Sequence, residues 1–316
     1  GREFFTHAGV PIYPSTPYGH RIAAGEHEAN EDKVWMFMLK ADVTEAELQA
    51  LVQELHPTAL KTNPDIGELP FAEGRLTEEE LEALLEKFKD SLQLVEEDTF
   101  LPRVESVNAS GITSVSSTAA YGWNILDINA NQVRGRGVGV NVYVLDTGIR
   151  TTHTSFGGRA FAGADVATTG SFELCAPSST SCALDNHWHG THCAGIVGAQ
   201  DFGVADGATL WAMKVLDDTG SGYVSWSIAA EQYVLSSGAR PAVVSISIQG
   251  SGNSQNEKNF IDMLVADGVT VVVAAGNYDD DACGYNPAFI PSAITVGSYG
   301  GTSGSSTDKS PFSNYG

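Results

Sequence analysis

Little in this sequence suits nucleic acid, a bilayer or a cysteine-built scaffold. Its 316 residues carry 17 Lys and Arg against 39 Asp and Glu, a formal net charge of −22. Phosphate recognition needs clustered cations, so this balance excludes an extended nucleic-acid surface. No stretch approaches the roughly 20 apolar residues of a membrane-spanning helix. Cysteines occur at 175, 182, 193 and 283 only, too few for a disulfide framework. CxxC spacing and the His-Glu-x-x-His pattern are both missing, which removes the usual zinc readings. Gly1 opens the chain with neither Met nor a signal-like apolar segment, and that leaves export undecided.

Two textures are present instead. In the first hundred residues, 34–40 is a strand candidate, although too continuously apolar for strict alternation. Thr44 with Glu47, and Thr77 with Glu80, are capping-box signals for two helices. The first buries Ala46, Leu48, Leu51, Val52 and Leu55; the second buries Leu81, Leu84, Leu85 and Phe88. Residues 92–96 read as a returning strand, which gives a small α+β unit. Polar residues 104–118 follow without a clear period.

Downstream, Val- and Ile-rich runs at 138–145, 209–215, 242–248 and 268–274 predict buried strands. Helical patterns at 190–198, 224–235 and 256–266 separate them. That alternation predicts an α/β fold with a mostly parallel sheet covered by helices on both faces.

Three motifs carry chemistry. Asp146 ends Val144-Leu145-Asp146-Thr147-Gly148, where it is either a turn residue or a buried carboxylate that orients an imidazole. An aspartic-protease reading needs a second Asp-Thr/Ser-Gly, and none occurs. His189 opens His189-Gly190-Thr191-His192-Cys193-Ala194-Gly195, and His187, His189 and His192 together admit a metal reading. Asn277 ends Ala274-Ala275-Gly276-Asn277, as a turn residue or an oxyanion donor. Cys175 and Cys182 share a Ser/Thr/Pro-rich loop, where a small disulfide and two free thiols are both open. Cys193 reads as a buried free thiol.

In this order the motifs resemble the subtilisin-like serine proteases, and the histidine string resembles their proteinase K-like branch. The resemblance makes Asp146 the orienting acid, His189 the general acid/base, His192 structural and Asn277 the oxyanion donor. Gly220, Ser221 and Gly222 on one side, and Ser247, Ile248, Gln249 and Gly250 on the other, become the edges that pair with an extended polypeptide substrate. Leu94-Val95-Glu96-Glu97-Asp98 resembles the end of an inhibitor I9-like propeptide. The implied division is an N-terminal extension at 1–33, a propeptide at 34–108 that inhibits in cis, and a partial peptidase domain at 109–316, with a junction around 107–111. Also implied are an extracellular monomer, no cofactor for the chemistry, and a structural calcium using the carbonyls of Pro291 and Ala293.

Departures stand beside the match. Trp188 replaces the glycine usual before the histidine, His187 is also unusual, and Gln249 replaces a wall glycine. The family serine lies in glycine-threonine-serine-methionine-alanine. Gly301-Thr302-Ser303 lacks the last two residues and precedes Ser310-Pro311-Phe312-Ser313-Asn314-Tyr315-Gly316, which resembles the segment upstream of that serine. Ser303 is therefore rejected, the nucleophile is expected beyond Gly316, and the chain as given is expected to be inactive. The partner of Cys283 is expected there too. The alternative is a noncatalytic, protease-like peptide-binding or regulatory protein.

Overall fold

A strand buried on both faces explains why the first apolar run does not alternate. The structure is a computed structural model that describes residues 4–14, 33–55, 71–104, 123–132, 136–299 and 309–316. Five strands form the first sheet: β1 (Phe5–His7), β2 (Val10–Tyr13), β3 (Lys33–Leu39), β4 (Phe71–Leu76) and β5 (Leu92–Glu97), in the order β1-β2-β5-β3-β4. Along β3, Trp35, Phe37 and Leu39 pack with helices α1 (Glu45–Glu54) and α2 (Glu78–Phe88). Met36 and Met38 point the other way, into the core of the downstream unit. Both helices begin at capping boxes, on Thr44–Glu47 and Thr77–Glu80.

The stretch expected as an extension, 1–33, supplies β1 and β2 to this same sheet, because Val10 and Ile12 bury themselves against its core. Strand β4 went unread because Phe-Ala-Glu-Gly-Arg-Leu has weak strand propensity. Its Gly74 faces Leu55, whose side chain would lie 2.6 Å from an added Cβ.

After β6 (Phe100–Leu101) and a short helix α3 (Trp123–Asp127), the second sheet begins with β7 (Asn141–Asp146) and β8 (Ala160–Asp165). The chain continues through β9 (Glu173–Leu174), α4 (His189–Gly198), β10 (Thr209–Lys214), β11 (Gly222–Tyr223), α5 (Val224–Ser237), β12 (Ala242–Ile246), β13 (Gly250–Ser251), α6 (Gln255–Ala266), β14 (Thr270–Ala274), β15 (Tyr285–Asn286) and β16 (Ile294–Val296). Seven strands pair in the order β16-β14-β12-β7-β10-β8-β9, all parallel except β9 against β8. One core, with Ile228, Val234, Phe260 and Leu264 of α5 and α6, covers one face; a second, with Ala194 of α4 and Phe156, covers the other. Strand β8 was missed because its alanines and glycine have low strand propensity.

Helix N-termini join the two units. Asp98 accepts from the Ser225 N–H at 3.1 Å and Oγ at 2.7 Å, at the start of α5. Glu96 accepts from Ser254 Oγ and the Asn256 N–H, both at 3.0 Å, at the start of α6. Each carboxylate meets orphan donors and the positive end of a helix dipole. Phe71 meets Phe260 edge-on at 5.7 Å across the same junction.

Beneath these caps lies a group of buried acids. Glu231 of α5 is fully buried, with its carboxyl group against that of Glu257 of α6. Burial, then Glu257, raises the Glu231 pKa. Burial, with Glu96 and Asp98 adding to it, pushes Glu257 up to about 8; burial and Asp98 do the same to Glu73. A carboxyl whose folded pKa exceeds its unfolded value near 4.5 holds an extra proton when folded, so stability falls as pH climbs from there through about 8. Glu257→Gln should flatten that decline and stabilise the protein at pH 8 more than at pH 5, measured by urea unfolding. An unchanged slope against pH would contradict the burial argument.

Candidate active site

Parallel pairing fixes where the site lies. Strand β7 is flanked in register by β10 and β12, with Lys214 opposite Asp146 and Ile246 opposite Leu145. Beyond β12, Val273 of β14 sits opposite Ile246. The chain therefore leaves neighbouring strands at Asp146, Ser247 and Ala275, along the edge where open α/β sheets present ligand sites. Asp146 is fully buried there. Helix α4 starts against it: Nδ1 of His189 lies 2.8 and 2.9 Å from the two Asp146 carboxylate oxygens. That approach requires glycine next in sequence, since a Cβ on Gly190 would meet Gly148 O at 2.2 Å.

Burial opposes a charge on His189, but hydrogen bonds to Asp146 and then Cys193 outweigh it and push its pKa up to about 10. Cys193 Sγ stands 3.8 Å from Nδ1, and burial raises the thiol pKa. Among the described residues, no hydroxyl hydrogen-bonds to Nε2 of His189.

Asp185 organises the approach to α4, and sequence reasoning missed it. Its carboxylate accepts from Thr147 Oγ1, from the His187 and Trp188 N–H groups, and from both N–H and Oγ1 of Thr191, at 2.6–2.9 Å. Burial works against the anion, yet Thr191, Trp188 and Thr147 hold its pKa below the ordinary value. An acid four residues ahead of a histidine-initiated helix was the available signal. Lys214, another missed residue, donates to Thr147 O at 2.7 Å and Asp218 at 2.9 Å.

Trp188 takes φ +98°, the left-handed region that bulky residues avoid. Its indole is 47% exposed and touches the rings of His187, His189 and His192. With Ile196 and Phe202 it lines an apolar groove of about 1020 Å³ on the outer side of α4. The indole thus turns outward.

The two expected edges lie on either side of the first unit's last strand. Leu101 pairs with Gly222 and Phe100 with Tyr223, antiparallel, and the Val104 N–H donates to Gly220 O at 3.0 Å. Opposite, a Cβ on Gly250 would come within 2.7 Å of Leu101 Cδ2, so glycine leaves room for that side chain. Ser221 is held by Asp217, and Ile248 is buried. Ser247 lies beside Cys193. Gln249 reaches across the strand ends: its Oε1 accepts the Asn277 N–H at 2.8 Å. Asn277 itself is exposed, just after Gly276 at φ +107°. The last residues brace the same loop, with Asn314 Oδ1 accepting from the Tyr278 N–H at 2.8 Å and Asn314 Nδ2 donating to Ala275 O at 3.0 Å.

Cys175 and Cys182 form a disulfide, while Cys193 is free and partly exposed and Cys283 is free and exposed. His192 does not join a histidine metal cluster; among the described residues, the side chains able to share a metal are Asp146, His189 and Cys193. Pro291 and Ala293 fall in the turn before β16. Ser303 and the 107–111 junction lie outside the described residues.

Two outcomes follow from this geometry. Replacing Asp146→Asn should bring the His189 titration down from about 10 toward 6.5, followed by imidazole NMR; an unmoved titration would deny the pairing. Asp185→Ala removes five hydrogen bonds to one carboxylate. It should cost on the order of 3 kcal/mol in denaturant unfolding, and a loss below about 0.5 kcal/mol would reduce Asp185 to an ordinary surface acid.

The chain is similar to several known serine proteases. The chain is 39% identical over 225 residues to an extracellular serine proteinase of Thermus sp. (strain Rt41A), covering 68% of this chain and 51% of that protein. It is 37% identical over 232 residues to the alkaline serine protease ver112 of Corniculantispora psalliotae, covering 68% and 56%. The chain thus spans about half the length of these relatives. The crystal structure of a cold adapted subtilisin-like serine proteinase superposes with a TM-score of 0.51 at 35% identity, over 58% of this chain and 62% of that one. The Subtilase family profile (Peptidase_S8) matches residues 137–316, from just ahead of β7 through the brace on the Asn277 loop, and the chain belongs to that family.

Proposed function

We propose that this chain is part of the precursor of an extracellular serine endopeptidase, with residues 34–108 as its inhibitor in cis and 109–316 as part of its peptidase domain. One observation carries the reading: the Asp146–His189 pair lies where the parallel strands end, and strand β6 pairs like a bound peptide with β11, the strand that follows β10. In the proposed reaction, Nε2 of His189 takes the proton of a serine hydroxyl as that oxygen attacks a peptide carbonyl. Asp146 holds the tautomer and supports the imidazolium. Asn277 and backbone N–H groups stabilise the oxyanion, and water then releases the acyl group through the same histidine. In this proposal none of the serines in residues 1–316 is the attacking one, Ser303 included, so these residues alone should not turn over substrate. No step uses a cofactor.

The extracellular placement draws on the Thermus relative, which is named for it. An alkaline working range agrees with the raised His189 pKa and with the name of ver112. Because the charged imidazole cannot act as a base, activity should rise with pH toward the range where His189 loses its proton. In the protein carrying its serine, His189→Ala should lower peptide hydrolysis by roughly 10⁴-fold or more. Hydrolysis that survives this substitution within tenfold would sink the proposal.

A further inference from the structure

The His187 imidazole is the least explained polar group near the peptide edge. It is 8% exposed, and both ring nitrogens are buried without a hydrogen-bond partner among the described residues. Its position is set by other means: Asp185 accepts its backbone N–H at 2.9 Å, and its ring stacks on Trp188 at 5.3 Å. The ring edge reaches the groove. A Cβ placed on Gly220 would lie 3.0 Å from His187 Nε2 and 3.1 Å from Val104 Cγ2, so both side chains close over the same point. Val104 is the residue whose N–H pairs with Gly220 O. Val104 Cγ2 and His187 Nε2 are therefore no more than about 6 Å apart, and this nitrogen has hydrogen-bonding capacity to spare.

We propose that His187 reads the side chain of the peptide residue at the Val104 position and favours a hydroxyl there, threonine above all, over valine. The proposal rests on the reading of this groove as the peptide-binding cleft. Threonine has the shape of valine with one methyl exchanged for a hydroxyl. Burial, then His189, lowers the His187 pKa; Asp185 and Asp146 act against this, and Arg103 adds to it. A neutral imidazole offers one donor and one acceptor, which a hydroxyl matches in both senses. A carboxylate can use only the donor, an ammonium only the acceptor, and valine neither. Since a buried polar group without a partner is costly, a peptide with threonine there should bind about tenfold more tightly than its valine counterpart. The inhibitory strand carries the poorer residue, which suits a segment that must give way to substrate.

A double-substitution cycle in the full chain tests this without catalysis. Val104→Thr should raise the folding equilibrium constant several-fold and shift the His187 imidazole nitrogen resonances. In the His187→Phe background, which keeps the stack on Trp188, the same change should give no gain. Val104→Ala controls for lost packing and leaves the buried ring untouched. Equal effects of Val104→Thr in both backgrounds, or unmoved His187 resonances, would overturn the proposal. Peptide substrates differing only in Val or Thr at this position then separate the two readings. Coupling in the cycle with no hydrolysis by the serine-bearing protein defeats the protease reading alone. Hydrolysis with no preference for threonine defeats the His187 reading alone.

Discussion

In-register parallel pairing of β12, β7 and β10 is the constraint on which the site depends. It delivers Asp146, Ser247 and, one strand further, Ala275 to a single edge, and it leaves α4 one place to begin. The contact is unforgiving because Gly190 presses on Gly148 O, where any side chain would collide. A buried carboxylate would be costly there without partners. The nearby imidazole supplies one, and the raised proton affinity of His189 is the electrostatic consequence.

The first unit reaches this edge by a different kind of force. Glu96 and Asp98, two residues apart on one extended stretch, point the same way and each caps a separate helix of the second unit. Met36, Met38 and Phe71 bury the same face of their sheet against Phe260 and its neighbours. Strand β6 then continues directly into the groove between β11 and β13. Beneath the caps, Glu231 and Glu257 make the junction sensitive to pH, because their burial is tolerable only while protons remain on them.

How much of this was legible in the sequence depends on whether a signal was local. The capping boxes at Thr44 and Thr77, the strand ending at Asp146 and the helix starting at His189 all formed as read, within a few residues. The pairing of Asp146 with His189 followed from their motifs, although they are 43 residues apart. Strands β4 and β8 escaped because glycine and alanine occupy positions where only tertiary packing demands a strand. Asp185 escaped because its five donors come from three separate positions of the loop and helix start as well as from Thr147. Gln249 was read only as a replacement for a wall glycine, and its side chain holds the Asn277 backbone. Trp188 offered no clue to its direction, since the outward turn depends on a left-handed backbone that propensity argues against.

The central claim is that Asp146 and His189 activate a serine for attack on a carbonyl. Covalent labelling by a fluorophosphonate, read by intact mass on the protein that carries its serine, tests it most directly. The account expects one phosphonyl adduct on that serine and its loss when His189 is replaced by alanine. Undiminished labelling in the alanine variant, or an adduct on Ser303, would contradict it.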